Sequence, residues 1–277
     1  MKKKLIYTIL LLVLLAGGYL AWQIFGPTVS APASKYFYIK TGATYNEVRQ
    51  SLIDEKIIHS TTFFDLLSKQ LKYPKLVKAG RYQVKDGGSI YGLLRMLRSG
   101  NQTPVNLVIN KIRLKEDLAQ KIAANFECDS ASVMEVLNDR ETLSKFNVND
   151  NTLMTIVIPN TYSLLWNSSP KKIIDKLYSE KEKFWNTERQ AKAKAMGLTP
   201  EQVYSMASIV EEETNKEEDK GKIASVYMNR INKGMKLQAD PTVKFAMKNF
   251  GLKRILLKHL AYDSPFNTYQ NAGLPPG

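Results

Sequence analysis

The chain has 277 residues, with 40 Lys+Arg against 26 Asp+Glu for a formal net charge of +14, and its 44% hydrophobic and 10% aromatic residues supply a core. Fifteen Gly and 11 Pro are too few for a collagenous or low-complexity chain, so the bulk folds as one or two domains. One cysteine, Cys128, cannot close an intramolecular disulfide, and with His59 and His259 as the only histidines the ligands of a structural zinc, haem or iron–sulfur site are lacking. No cofactor and no metal are expected.

Lys2, Lys3 and Lys4 precede an uncharged run from Leu5 to Phe25, long enough at about 1.5 Å per helical residue to cross the roughly 30 Å hydrocarbon core of a bilayer. Ala31-Pro32-Ala33 resembles a signal-peptidase site, but the apolar run exceeds the usual h-region of about 7–15 residues, which favours an uncleaved anchor over residues 1–26. Lysines before the span and none close after it place the N-terminus in the cytoplasm and the rest outside a bacterial-type cytoplasmic membrane. An exported domain does not meet nucleic acid, and its Lys/Arg are scattered. Anionic lipid headgroups and the carboxylates of cell-wall peptides remain as partners for the basic surface, alongside simple solvation.

After a linker to Lys35, the elements are short. Tyr36–Ile39 alternates as a strand. Thr44-Tyr45-Asn46-Glu47 is a capping box opening a helix toward Lys56. Ser60 caps a second helix through Phe63, Phe64, Leu67 and Leu71; a strand spans Gly80–Val84; Ser89 caps a helix that stops near Gly100. This βααβ unit, residues 36–110, resembles a LysM-like glycan-binding module, although the same residues suit a plain α+β subdomain.

A strand at Thr103–Ile109 leads into a mainly helical half, residues 111–277, so the fold class is α+β. Helices are predicted at Lys115–Phe126, at Ser130–Leu137 with Ser130 as N-cap, and from Ser169-Pro170 to about Met196 with Ile173, Ile174, Leu177 and Phe184 as the packing stripe; Ile158 to Tyr162 reads as a loop. Thr199-Pro200-Glu201-Gln202 fixes the next helix start by N-cap, N1 proline and capping-box partner. In that helix Val203, Met206, Ala207, Ile209 and Val210 share a face. Of the acids that follow, Glu213 lies closest to it, roughly 50° from its centre, while Glu211 lies further round and Glu212 points nearly away. Desolvation against such a face favours the protonated form of a carboxylic acid, as general acid catalysis requires. Three acids at a helix end are also ordinary solvated chemistry.

Ala207-Ser208-Ile209-Val210-Glu211-Glu212-Glu213-Thr214 is followed by Lys222-Ile223-Ala224-Ser225-Val226-Tyr227-Met228-Asn229-Arg230, then by Gly234-Met235-Lys236-Leu237-Gln238-Ala239-Asp240-Pro241-Thr242-Val243, Phe266-Asn267-Thr268-Tyr269 and Gly273-Leu274-Pro275-Pro276-Gly277. These spaced motifs, with the N-terminal apolar run, Ala79-Gly80-Arg81-Tyr82, Leu97-Arg98-Ser99-Gly100 and Pro159-Asn160-Thr161-Tyr162, resemble the endolytic murein transglycosylases, membrane-anchored enzymes that cut inside peptidoglycan glycan strands.

The resemblance implies a lysozyme-like catalytic domain, a lyase activity, peptidoglycan strands as substrate and a peptidoglycan synthase as companion. The family's catalytic glutamate, directly before Thr, falls on Glu213. Gln238, Asp240 and Thr242 fall among residues expected to contact the glycan, with capping of the following helix an equal reading for Asp240. Asn267 and Tyr269 resemble cleft residues for an acetamido group and a sugar face, and Tyr162 is placed likewise; all three also suit plain loop chemistry. Cys128 and the histidines read as structural. The family's domain continues beyond Gly-Leu-Pro-Pro-Gly, so the chain reads as C-terminally truncated. A wall-binding scaffold without catalysis and a muramidase using Asp240 or another acid as base are the alternatives.

Overall fold

The computed structural model describes residues 2–277. Helix α1 (Lys2–Phe25) is about 36 Å long at 1.5 Å per residue, carries no acid, and is long and apolar enough to cross a bilayer. It opens the first of two compact units, which takes in the chain up to Leu107 with residues 125–128 and 163–169.

In that unit β1 (Tyr36–Ile39), α2 (Tyr45–Asp54), α3 (Thr62–Gln70) and β2 (Gly80–Gln83) follow in βααβ order, and β1 pairs antiparallel with β2, Tyr36 opposite Gln83 and Ile39 opposite Gly80. Alternation along the strands turns Phe37, Ile39 and Tyr82 inward onto Val48, Leu52, Phe64 and Leu67 of the helices. The Thr44 capping box forms on both sides, as the spacing predicts. Between the helices Asp65 accepts from Arg49 at 2.9 Å and from the Tyr45 hydroxyl at 2.6 Å. Gly80, at φ +147°, leaves its Cβ position to the Gln102 carboxamide. Ser89 caps α4 (Ile90–Ser99), which Gly100 closes in the left-handed conformation. Ser60 does not cap α3: the helix starts after Thr61, and the Ser60 hydroxyl accepts from the Thr62 N–H and donates to the Thr62 hydroxyl, both at 3.3 Å.

Strand β3 (Val105–Ile109) pairs in a second two-stranded sheet with β4 (Asn160–Leu164), which occupies part of the stretch expected to be a loop. The second unit, residues 108–124, 129–162 and 170–277, is mainly helical. It contains α5 (Lys115–Ala123), α6 (Ser130–Asn138) and α7 (Arg140–Lys145). The N-cap of α6 is Asp129, whose carboxylate accepts from the Ser132 N–H at 2.7 Å, one residue ahead of the predicted Ser130.

The single helix predicted over residues 169–196 is two, α8 (Pro170–Phe184) and α9 (Thr187–Ala195), because Asn186 breaks the ladder and caps the second through the Arg189 N–H at 2.9 Å. Ile173, Ile174 and Leu177 are buried as expected, but the stripe continues through Lys181 and Trp185, leaving Phe184 exposed. The buried Lys181 ammonium pairs with Glu201 at 3.0 Å. Helices α10 (Pro200–Glu213), α11 (Glu217–Asn232), α12 (Asp240–Ala246) and the single turn α13 (Leu257–Leu260) complete the chain. The described residues thus form an α+β fold of thirteen α-helices and two small sheets.

Candidate active site

The Thr199 capping box and Pro200 at N1 set the start of α10, and its buried residues Met206, Ile209 and Val210 pack with Tyr227, Leu237 and Ala239 in one cluster. Ala207, expected on the packed face, is exposed. Glu213 follows Ile209 by four positions and Val210 by three, so it stands in line with the buried stripe. It is also the last residue of the helix, where the covering cluster has ended, and it emerges exposed rather than half-buried.

The three acids have three different surroundings. Glu211 is exposed and pairs with Lys220 at 3.0 Å. Glu212 does not point to solvent as its phase suggests. It is half-buried, bound by Arg113 at 2.8 and 3.0 Å in a two-pronged contact and by Lys111 at 2.9 Å. Burial pushes its carboxyl up, but the hydrogen bonds from Arg113 and Lys111 outweigh burial and hold it below the usual carboxylate range. Glu213 alone of the three has no ion-pair partner among the described residues: it accepts a hydrogen bond from the Tyr227 hydroxyl to Oε1 at 2.7 Å.

Because the Glu212 carboxyl is depressed in the folded chain, its contribution to stability is complete above the unfolded value of 4.5 and is lost as pH falls through the folded one. Glu212→Gln therefore lowers unfolding free energy near neutrality by about 1–2 kcal/mol, a figure moderated by the partial exposure of the pair. Denaturant titrations of the two chains should converge below about pH 4. Equal differences at pH 7 and pH 3 would contradict this.

Arg230, one turn after Tyr227 on α11, shapes the facing loop. Its guanidinium donates to the Lys236 and Leu237 carbonyls at 3.1 and 2.8 Å and to Oε1 of Gln238 at 3.0 Å. Gln238 sits at φ +51°, a conformation costly for a residue with a side chain, held here by Arg230 on one side and by its own N–H donating to the Thr268 carbonyl at 3.2 Å on the other. Below it Thr268 accepts from the Ala239 N–H at 3.0 Å and shares a hydroxyl pair with Thr242 at 2.8 Å.

Asp240 is the first helical residue of α12, with Ala239 as its N-cap, so the capping role is absent. Its carboxylate instead accepts from the Tyr269 hydroxyl at 2.7 Å. Burial, the bond to Asp240, and the charges of Asp240 and Glu213 push the Tyr269 phenol up to about 12, with Arg230 opposing. Burial, then the bond and charge of Glu213, raise the Tyr227 phenol further, again against Arg230. Both tyrosines are hydrogen-bond donors at any physiological pH.

Four predicted residues therefore meet at one surface: Glu213, Gln238, Asp240 and Tyr269. Thr242 lies beneath it, buried, with its hydroxyl donating to the Ala239 carbonyl at 2.6 Å. Asn267 is fully buried: its amide donates to the Leu260 and Tyr262 carbonyls at 3.1 and 2.7 Å, and its Oδ1 accepts from the Tyr269 N–H at 3.0 Å. No group of Asn267 is free for an acetamido contact. Tyr162 is buried in β4 with its hydroxyl donating to the Ile158 carbonyl. These three hold the fold. Tyr227 and Arg230, which the motifs contain but the resemblance does not single out, touch Glu213 and the Gln238 loop; their spacing of three puts both on one face of α11.

A cavity of about 720 Å³ lies along the other flank of α10, where Glu211, Glu212, Phe245, Phe250 and Phe266 line it and Glu213 does not. Glu213, Tyr227, Gln238, Asp240 and Tyr269 lie together away from this cavity. Among the described residues no three His, Cys, Asp or Glu side chains are grouped to hold a metal ion.

Residues 37–277 match the model of the YceG-like family. The endolytic murein transglycosylase of Streptococcus pneumoniae strain D39 is 27% identical over 98% of this chain and 55% of its own length. That of Bacillus subtilis strain 168 is 28% identical over 86% of this chain and 70% of its own length. The chain thus spans about half the length of the pneumococcal relative. A crystal structure of a yceG-like protein from Listeria monocytogenes has the same fold, with a TM-score of 0.56, 24% identity, and 88% of this chain and 86% of that one covered.

Proposed function

The chain belongs to the YceG-like family, and on that premise we propose that it is a membrane-anchored lytic transglycosylase that cleaves the β-1,4 bond between N-acetylmuramic acid and N-acetylglucosamine within peptidoglycan strands. The observation that carries the reading is Glu213: an exposed carboxyl with Oε1 bound by Tyr227 and no other hydrogen bond among the described residues, so that Oε2 is left for a substrate.

A glycosidase that uses water needs a second carboxylate to activate it or to form a covalent intermediate. A lytic transglycosylase uses the sugar's own C6 hydroxyl. Glu213 as the acid gives its proton to the glycosidic oxygen leaving muramic acid C1. The resulting carboxylate then takes the C6–OH proton as that oxygen closes onto C1, leaving a 1,6-anhydro end and a restored acid. The nucleophile is intramolecular, so proximity stands in for the second carboxylate. Tyr269 and Gln238 border the same surface and supply a ring face and an amide for sugars.

In this reading α1 is the anchor, with Lys2–Lys4 cytoplasmic and the chain after Phe25 outside, and the βααβ unit is a glycan-binding module. The specific observation favouring a muramidase is Asp240, a second exposed carboxylate close to the site. Mass spectrometry of digested uncrosslinked strands decides: 1,6-anhydromuramoyl ends support transglycosylation, whereas hydrated reducing ends establish hydrolysis, and intact strands leave only a scaffold.

Tyr227 acts through Glu213. Tyr227→Phe keeps the ring in its cluster and removes one charge-assisted hydrogen bond, so turnover falls about tenfold with KM nearly unchanged. A fall in melting temperature with turnover unchanged would reduce Tyr227 to packing.

A further inference from the structure

The segment between Asp240 and Asp263 contains Lys244, Lys248, Lys253, Arg254 and Lys258 and no acid. Lys248 pairs with Glu116 at 3.3 Å, whereas Lys244, Lys253, Arg254 and Lys258 have no ion-pair partner among the described residues. Within the same stretch large apolar side chains face solvent: Leu257 is 86% exposed, the most exposed large hydrophobic side chain described, with Leu256 at 46% and Tyr262 at 43%. His259 turns its ring back to accept from the Leu256 N–H at 3.1 Å, fixing the turn that presents both leucines.

Single exposed leucines need no explanation, but two adjacent ones flanked by three unpaired cations and a tyrosine combine features that different partners would use separately. A soluble polyanion takes the cations and gains nothing from Leu257. An apolar protein groove takes the leucines and leaves the cations unmatched. The surface of an anionic bilayer takes both: leucine side chains enter the acyl boundary, cations meet headgroup phosphates, and tyrosine sits at the interface.

We infer that residues 253–262 form a second membrane contact, a basic and apolar patch that seats the catalytic unit on an anionic lipid surface. The inference rests on the reading of α1 as an anchor, since tethering brings the patch within reach of a bilayer. Each cation near an anionic leaflet strengthens the contact about fivefold, so the three together, with Leu257, make it strong once tethered and sensitive to salt.

The test uses the full chain reconstituted into vesicles of phosphatidylcholine alone or with one third phosphatidylglycerol, with hydrogen–deuterium exchange followed on peptides covering residues 251–262. Exchange should slow about tenfold or more with the anionic lipid, and return to the phosphatidylcholine rate in 1 M salt. The triple substitution Lys253→Glu, Arg254→Glu, Lys258→Glu should abolish the effect, and Leu257→Ser should weaken it; unchanged exchange in peptides of α10 and α11 would show that the variants remain folded. Identical exchange in the two lipids would overturn the inference, as would protection that develops only when glycan strands or a second protein are added. Release of the chain from vesicles at alkaline pH would reject the anchor alone, and comparison with added anionic vesicles still decides the patch.

Discussion

Glu213→Gln should reduce strand cleavage by at least about 10²–10⁴-fold, because the amide can neither give a proton to the leaving oxygen nor take one from the C6 hydroxyl, and both transfers fall on the same residue. Stability should be unchanged. The amide oxygen still accepts from Tyr227, and the side chain is exposed at the end of α10 with no cation left unpaired by its neutralisation. Glu211→Gln is the control nearest in kind, an exposed acid whose one contact is a surface ion pair with Lys220 and whose loss costs little. Glu212→Gln is not a silent control, since it disturbs the Arg113 contact. The assay follows 1,6-anhydromuramoyl ends from uncrosslinked strands, with melting temperature recorded for each variant. Retention of product by Glu213→Gln together with its loss in Glu211→Gln would refute the assignment.

The surroundings of these acids mark what a sequence can disclose. The start of α10 was legible because capping is local: Thr199, Pro200 and Gln202 satisfy each other within one turn. The phase that nominated Glu213 is also local and places it on the buried stripe. Its exposure is not local, since it depends on where the packing cluster of Met206, Ile209, Val210 and Tyr227 ends. The burial of Glu212 depends on Lys111 and Arg113, about a hundred positions away, and no periodicity connects them. The same limit explains Asn186, where one side chain accepting from the Arg189 N–H divides a helix that composition alone presents as continuous.

The loop residues show a related limit, since a motif shared with a family does not disclose which of its side chains are buried. Asn267→Ala should lower unfolding free energy by about 2–4 kcal/mol, because the substitution removes three hydrogen bonds from a fully buried amide. The Tyr262 carbonyl and the Tyr269 N–H would be left without their partner, each retaining a desolvation cost, while the Leu260 carbonyl keeps the Gln270 amide at 2.6 Å. In a helical unit of this size that corresponds to a fall in melting temperature of about 5–12 °C. The functional consequence is indirect. Tyr269 is held by Asn267 through its backbone and by Asp240 through its hydroxyl, so with one support removed it no longer presents its ring in a fixed place. Tyr269→Phe, by contrast, gives up only the exposed hydroxyl bond to Asp240 and should leave the melting temperature nearly unchanged. Were Asn267 a direct ligand of an acetamido group, Asn267→Ala would raise KM with unaltered thermal stability; a stable variant of that kind would return Asn267 to the substrate surface.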